Sequence, residues 1–277
     1  MEASRPNFVF IFPDQWRGDC LGKDDNPTIE TPYLDALASE GVMFNHAYAA
    51  APSCIPARAC LATGQTPSTC GRPGYRDGIP WRYEHTLMKE LRDGGYHTMC
   101  VGKTHFYPQR VRLGFEELRL YDPQEKLGDV KSDYHRWLEK ETNGKVNDPA
   151  IEWNNNTWMR YSWEADEYLH PTNWTTDNAI EMLENRDPHR PFFIQIGYHR
   201  PHSPYDPPKY YYDLYKDKEL PPIPVGDWAK VENSREIEEV DSFRGELPAH
   251  LLDRMRRAYY GSITHIDAQI GRLIFWL

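Results

Sequence analysis

A chain of 277 residues, 39% hydrophobic and 27% charged, has the material for one large packed domain, or one domain with a small appendage, and is not a disordered polymer. Its net charge of −10 argues against duplex nucleic acid or an anionic membrane as partner, although a small cationic pocket on such a protein can still gather an anion. Five cysteines without a C-x-x-C pair argue against a disulfide framework or a cysteine-rich zinc site.

The opening MEASRPNFVFIF runs straight into apolar residues, without the basic region and cleavage pattern of a leader. No stretch reaches the ~18 apolar residues that suggest a membrane span. The expectation is a soluble cytoplasmic protein, in which the N-x-Thr matches at Asn155 and Asn173 are chance.

NFVFIFP (7–13) reads as a strand buried on both faces. TPYLDALASEG predicts a helix with Thr31 as N-cap, Pro32 in the first turn and Gly41 as C-cap. VMFNHAYAA (42–50) reads as a second strand. PARACLATG (56–64) is a short helix closed by Gly64, and Thr86 caps the helix LMKELRDGG. YHTMCVG (96–102) is a strand, TTDNAIEMLENR a helix, and PFFIQIGY (191–198) another buried strand.

From about Pro248 a long helix carries Leu252, Met255, Tyr259, Ile263, Ile266, Ile270 and Leu273 near one face, with Asp267 facing out of it or along it. Strands alternating with helices predict an α/β fold, a largely parallel central sheet with helices on both faces. Residues 121–174 and 203–247 read as irregular insertions in a single domain, 1–277. Their tyrosines and tryptophans suit either ring stacking on a ligand or packing of the loops themselves.

Ligands of open α/β sheets collect beyond the carboxyl ends of strands. The first strand ends in Pro13-Asp14-Gln15, the third in Lys103-Thr104-His105, and PFFIQIGY in His199-Arg200-Pro201-His202. Cys54, in SCIPAR, opens a helix, whose unpaired N–H groups and positive dipole end suit an anion or a thiolate. Arg58 sits one turn further on and Lys103 adds a second cation. Asp14 and Gln15 offer the oxygen donors that calcium or magnesium selects, and His105 and His202 are candidate proton carriers. Such a pocket suits a tetrahedral oxyanion, sulfate or phosphate.

CIPAR followed by ACLATG resembles the sulfatase signature C-x-P-x-R with its trailing x-x-L-x-T-G. DQWRGD, TPYLDALASEGVMFNHAY, GKTHF and RPHSPY are similar to further landmarks of that family, in the family's order. The resemblance covers essentially the whole chain and implies an alkaline phosphatase-like fold. It implies that a maturation enzyme oxidises Cys54 to formylglycine, and that the product cleaves small-molecule or carbohydrate sulfate esters as an arylsulfatase-like hydrolase.

Carried over residue by residue, Asp14, Gln15 and residue 54 would hold Ca²⁺ (alternatively Mg²⁺ or Mn²⁺), and Arg58 the hydrated aldehyde. Lys103 and His202 would grip the sulfate and the leaving oxygen, and His105 would take a proton to release sulfate. His199 competes with His202, and the family's spacing favours His202.

Gln15 stands where many sulfatases carry a second aspartate. The later Asp-His or Asp-Asn pair and the C-terminal subdomain of the family have no counterpart here. Weak metal affinity, little turnover by these residues alone, and association through exposed Ile274, Phe275 and Trp276 are therefore expected. A phosphonate monoester or phosphodiester hydrolase of the same superfamily, or a non-catalytic remnant, are the alternative readings.

Overall fold

The computed structural model describes residues 5–123, 130–152, 156–157, 162–224, 226 and 248–277. Contacts divide the chain into two units: Met1–Asp14, Phe44–Val146 and Asn173–His199 in the first, and Gln15–Met43, Asn147–Thr172 and Arg200–Leu277 in the second.

The first unit holds a four-stranded sheet of β1 (Phe8–Ile11), β2 (His97–Gly102), β3 (Glu117–Leu120) and β4 (Phe192–Gly197), in the order β1-β4-β2-β3. Every pairing is parallel. β2 and β4 are central and every residue in them is buried, including the polar His97, Thr98 and Gln195, so neither shows the apolar-polar alternation of a half-exposed strand. Strand geometry still splits them by face. Cys100 and Phe193 pack with Ile55, Ala59 and Met88, from α2 (Cys54–Thr63) and α3 (Leu87–Asp93). The opposite face meets α6 (Pro171–Glu184), where Thr176 bonds Tyr198 at 2.8 Å and Arg119 bonds Asn178 at 2.8 Å. Helices therefore cover both faces, as expected.

β3 was not legible as a strand, because Glu117 and Arg119 break up its apolar residues. The expected strand at 42–50 does not form: Asn45 and His46 make a turn, and Val42, Phe44 and Tyr48 are 79–85% exposed. Apolar residues spaced like a strand do not make one without a neighbour to bond. The stretch 121–174, expected to be irregular, contains α4 (Asp133–Thr142), capped by Ser132, and α5 (Pro149–Glu152). Of the 203–247 stretch, residue 225 and residues 227–247 lie outside the described residues, and α7 (Lys209–Asp213) lies within them.

The second unit is built on α1 (Pro32–Glu40) and α8 (Ala249–Trp276). α8 is buried nearly all round from Ala258 to Gly271, polar residues included. Asp267 does not face out: it is 1% exposed, and its carboxylate accepts the N–H groups of Tyr33 at 3.1 Å and Leu34 at 2.8 Å. Thr31 makes no side-chain cap bond, so Asp267 performs the capping predicted for Thr31. At Gly271 a Cβ would lie 2.5 Å from the Tyr33 ring, so only glycine lets α1 approach this closely. Beyond it Phe275 and Leu277 are exposed. Among the described residues no helix is long and apolar enough to cross a membrane.

Candidate functional site

Parallel pairing sets the carboxyl ends of all four strands along one edge. Asp14 N–H bonds Tyr198 O at 2.9 Å and Lys103 N–H bonds Gly197 O at 2.8 Å, so both residues flank the end of β4. The approach is close. A Cβ on Gly102, where φ is +92°, would lie 2.1 Å from Gly197 O, and one on Gly197 would lie 2.5 Å from Lys103 O. Two glycines thus permit the turn that sends Lys103 toward Asp14.

Lys103 Nζ lies 2.5 Å from Asp14 Oδ2, and Arg58 Nη2 lies 3.4 Å from the same oxygen. Arg58 Nη1 donates to Lys103 O at 2.8 Å, and its guanidinium lies 4.8 Å from the Phe12 ring centroid. The Lys103 and Arg58 side chains are 1% and 4% exposed. Two buried cations facing one carboxylate leave net positive charge in low dielectric, which an anion would complete. Arg58 Nη2 is buried and has no hydrogen-bond partner.

Cys54 is the first residue of α2, two residues earlier than the sequence places the helix start. Ser53 precedes it in extended conformation and makes no side-chain cap bond. The thiol is half-buried. Burial opposes its ionisation, but the neighbouring His105 and the positive charge of Lys103 prevail, and its pKa falls. Burial likewise opposes charge on His105, yet Asp77 and Cys54 raise its pKa to about 9. His105 adopts φ +61°, uncommon for a residue with a Cβ, with its N–H held by Asp122 Oδ2 at 3.2 Å. Its Nε2 lies 3.4 Å from Asp77 Oδ1.

Of the predicted site residues, Asp14, Cys54, Arg58, Lys103 and His105 gather in the first unit. His199 is there too, buried against the Tyr121 ring at 5.5 Å. Gln15 and His202 belong to the second unit. Gln15 has φ +62° and its carbonyl accepts from the Tyr259 hydroxyl at 2.7 Å. His202 donates Nδ1–H to the Ser203 carbonyl at 2.8 Å, between Arg200 and Asp206, which form a buried two-point ion pair at 2.6 and 2.8 Å. Sequence reading missed Asp77 and Asp122. Asp122 follows a strand end, the rule that found Asp14, but its strand was not recognised; Asp77-Gly78 reads as an ordinary turn.

Asp14 is a hard oxygen donor suited to a divalent cation. A cation bound there would face Lys103 and Arg58, and would need more oxygens than these residues supply. Among the described residues no group of three or more His, Cys, Asp or Glu side chains is placed to hold a metal ion. They do not by themselves make a metal centre.

The carboxyl edge of a parallel α/β sheet thus brings a helix-opening cysteine beside two buried cations and a histidine, on a fold of the alkaline phosphatase-like class. The model of the family described as Sulfatase matches residues 6–277, and the chain belongs to the sulfatase family. It is 44% identical over 285 aligned positions to an arylsulfatase of Clostridium perfringens, covering 99% of this chain and 59% of that protein. It is 28% identical to human iduronate 2-sulfatase, over 97% of this chain and 50% of that one. Among solved structures it resembles the phosphonate monoester hydrolase of Agrobacterium radiobacter, with TM-score 0.78, 26% identity, and coverage of 99% of this chain and 59% of that chain. The chain thus spans between half and three fifths of the length of these relatives.

Proposed function

We propose that the protein hydrolyses sulfate esters of alcohols or phenols, with the first unit supplying the anion-holding half of the chemistry. The observation that carries this is the Asp14–Lys103–Arg58 cluster beside Cys54: two buried cations converge at a helix start on the strand-end edge. The 44% identity to an arylsulfatase, against 26% to the phosphonate hydrolase, favours sulfate over phosphonate.

In this reading a maturation enzyme converts Cys54 to formylglycine, whose hydrated aldehyde supplies a nucleophilic oxygen and a second hydroxyl that allows sulfate to leave. Lys103 and Arg58 neutralise the oxyanion as charge develops. His105 accepts a proton from a hydroxyl at residue 54, which frees the site for the next turnover. Asp14 would be one ligand of a divalent cation, calcium or alternatively magnesium or manganese, as the family's motif implies. The roles of Gln15 as ligand and His202 as donor to the leaving oxygen rest on the family's motif.

The test is mass spectrometry of the peptide containing residue 54 after coexpression with a formylglycine-generating enzyme, followed by parallel assays with aryl sulfate and aryl phosphonate esters. Conversion of the thiol with preferential sulfate release is expected. An unmodified thiol, or a fully converted full-length protein that cleaves no sulfate ester, overturns the reading.

A further inference from the structure

Asp77 occupies a turn, where an aspartate ordinarily spends its carboxylate on its own backbone. Here both oxygens go elsewhere. Oδ2 accepts the Tyr75 hydroxyl at 2.8 Å, and Oδ1 faces His105 Nε2 at 3.4 Å. The Tyr75 ring stands edge-on to the His105 imidazole, with centroids 5.8 Å apart. Asp77, His105 and Ile55 also line a small open pocket, so the pair is not sealed in the core.

We propose that Asp77 is a positioning residue for His105, fixing the imidazole tautomer with the proton on Nε2 and the lone pair on Nδ1, while Tyr75 fixes Asp77. The inference deepens the reading above and rests on it, because it is there that His105 accepts a proton. An ionised carboxylate only accepts hydrogen bonds, so it selects the tautomer that donates from Nε2. Nδ1 is then the nitrogen that takes up a proton from a hydroxyl at residue 54: the O–H bond breaks, its electron pair stays on oxygen, and N–H forms. The resulting imidazolium is stabilised by Asp77, which stays ionised, as an orienting carboxylate does behind a histidine base. The separation of 3.4 Å is long for a hydrogen bond, and such contacts shorten when substrate fills a site. Asp122 holds the His105 backbone beside this pair by accepting its N–H.

The test uses the full-length protein in two forms. In the unconverted thiol form, nitrogen-15 resonances of His105, assigned against His105→Gln, report the tautomer without any turnover. At a pH above about 9, where the His105 ring is neutral, the parent is expected to show a protonated Nε2 and an unprotonated Nδ1, and Asp77→Ala to show averaging of both tautomers. In the matured form, phenol release from an aryl sulfate is followed by stopped flow. Asp77→Ala should retain a burst of about one phenol per site and then turn over about 10–100-fold more slowly, the loss typical of removing an orienting partner. Burst amplitude counts folded, competent sites, so misfolding is distinguished from slowed release. Should Asp77→Ala not fold, Asp77→Asn replaces it, since its amide can donate to Nε2 and invert the tautomer with a similar loss. An unchanged tautomer, or a steady-state rate within about twofold of the parent, overturns the proposal. If the matured parent cleaves no sulfate ester, the functional reading fails, and the resonance arm alone decides whether Asp77 sets the tautomer.

Discussion

Lys103 Nζ and Asp14 Oδ2 lie 2.5 Å apart at the ends of two strands that are not sheet neighbours. β4 runs between their strands, and both residues bond its last carbonyls. The ion pair therefore bridges a neighbouring strand and holds the edge where the anion would sit.

Lys103→Met removes the closer of the two cations and leaves Asp14 with Arg58 at 3.4 Å. Breaking a buried ion pair from one side costs about 3 kcal/mol. Urea unfolding should show a lower midpoint with an unchanged slope, and sulfate ester turnover should be lost. A midpoint within error of the parent would contradict the pairing.

Gly102→Ala places a methyl 2.1 Å from Gly197 O on a backbone at φ +92°. No flexible side chain is available to yield, so the loss should be roughly 3–5 kcal/mol. Thermal unfolding would read it. Tolerance of alanine at this position would mean that β2 and β4 separate more readily than their register implies.

Asp267 gives a pH signature. Burial raises its pKa from the ordinary 3.8 to about 6, against the pull of the Leu34 and Tyr33 N–H groups. The folded state therefore holds the proton more tightly than the unfolded chain. This contribution is fully present below pH ~4 and is lost as the pH rises through 6. Asp267→Asn keeps a capping oxygen and removes the titration, so the fall in stability between those values should flatten in denaturant titrations at several pH values. An unaltered slope would place the titration elsewhere.

The opposite sign holds at His265 and His170, whose rings lie 4.8 Å apart in the second unit. Both are desolvated, and for each that penalty on the charged form prevails. The positive charges of His170, Arg200 and Arg272 add to it at His265, outweighing Asp206; at His170 the hydrogen bond and charge of Asp206 oppose it. Their folded pKa values lie below the ordinary 6.5, so stability is present above that pH and drains away as the pH falls toward the lowered values. Glu167 and Tyr211 also face His265. His265→Gln should shallow the acid limb of the stability curve, and an unchanged limb would exclude this pair as its source.

The residues of the candidate site were readable wherever a long apolar strand stops at a polar residue, as before Asp14 and Lys103, or where a cysteine and proline mark a helix start, as at Cys54. What escaped was set by tertiary partners. β3 holds only two apolar residues, Leu118 and Leu120, each preceded by a charged one, so Asp122 behind it was invisible. Asp77 looked like punctuation in a turn because nothing local reveals a histidine 28 residues away. The 42–50 stretch was misread because apolar spacing records side chains and not the strand they would pair with. Asp267 was misplaced for the same reason: its partners are N–H groups 233 and 234 residues distant.

That last distance bears on how the chain acquires its shape. A growing polypeptide exposes α1 long before Asp267 has been synthesised, and the Thr31 hydroxyl bonds the Asp35 carboxylate rather than capping a backbone N–H of the young helix. The first turn of α1 must then stay frayed or borrow water until α8 arrives, a closure over more than two hundred residues that comes late and slowly. Its apolar stripe is meanwhile open to chaperones, and to other chains still being made.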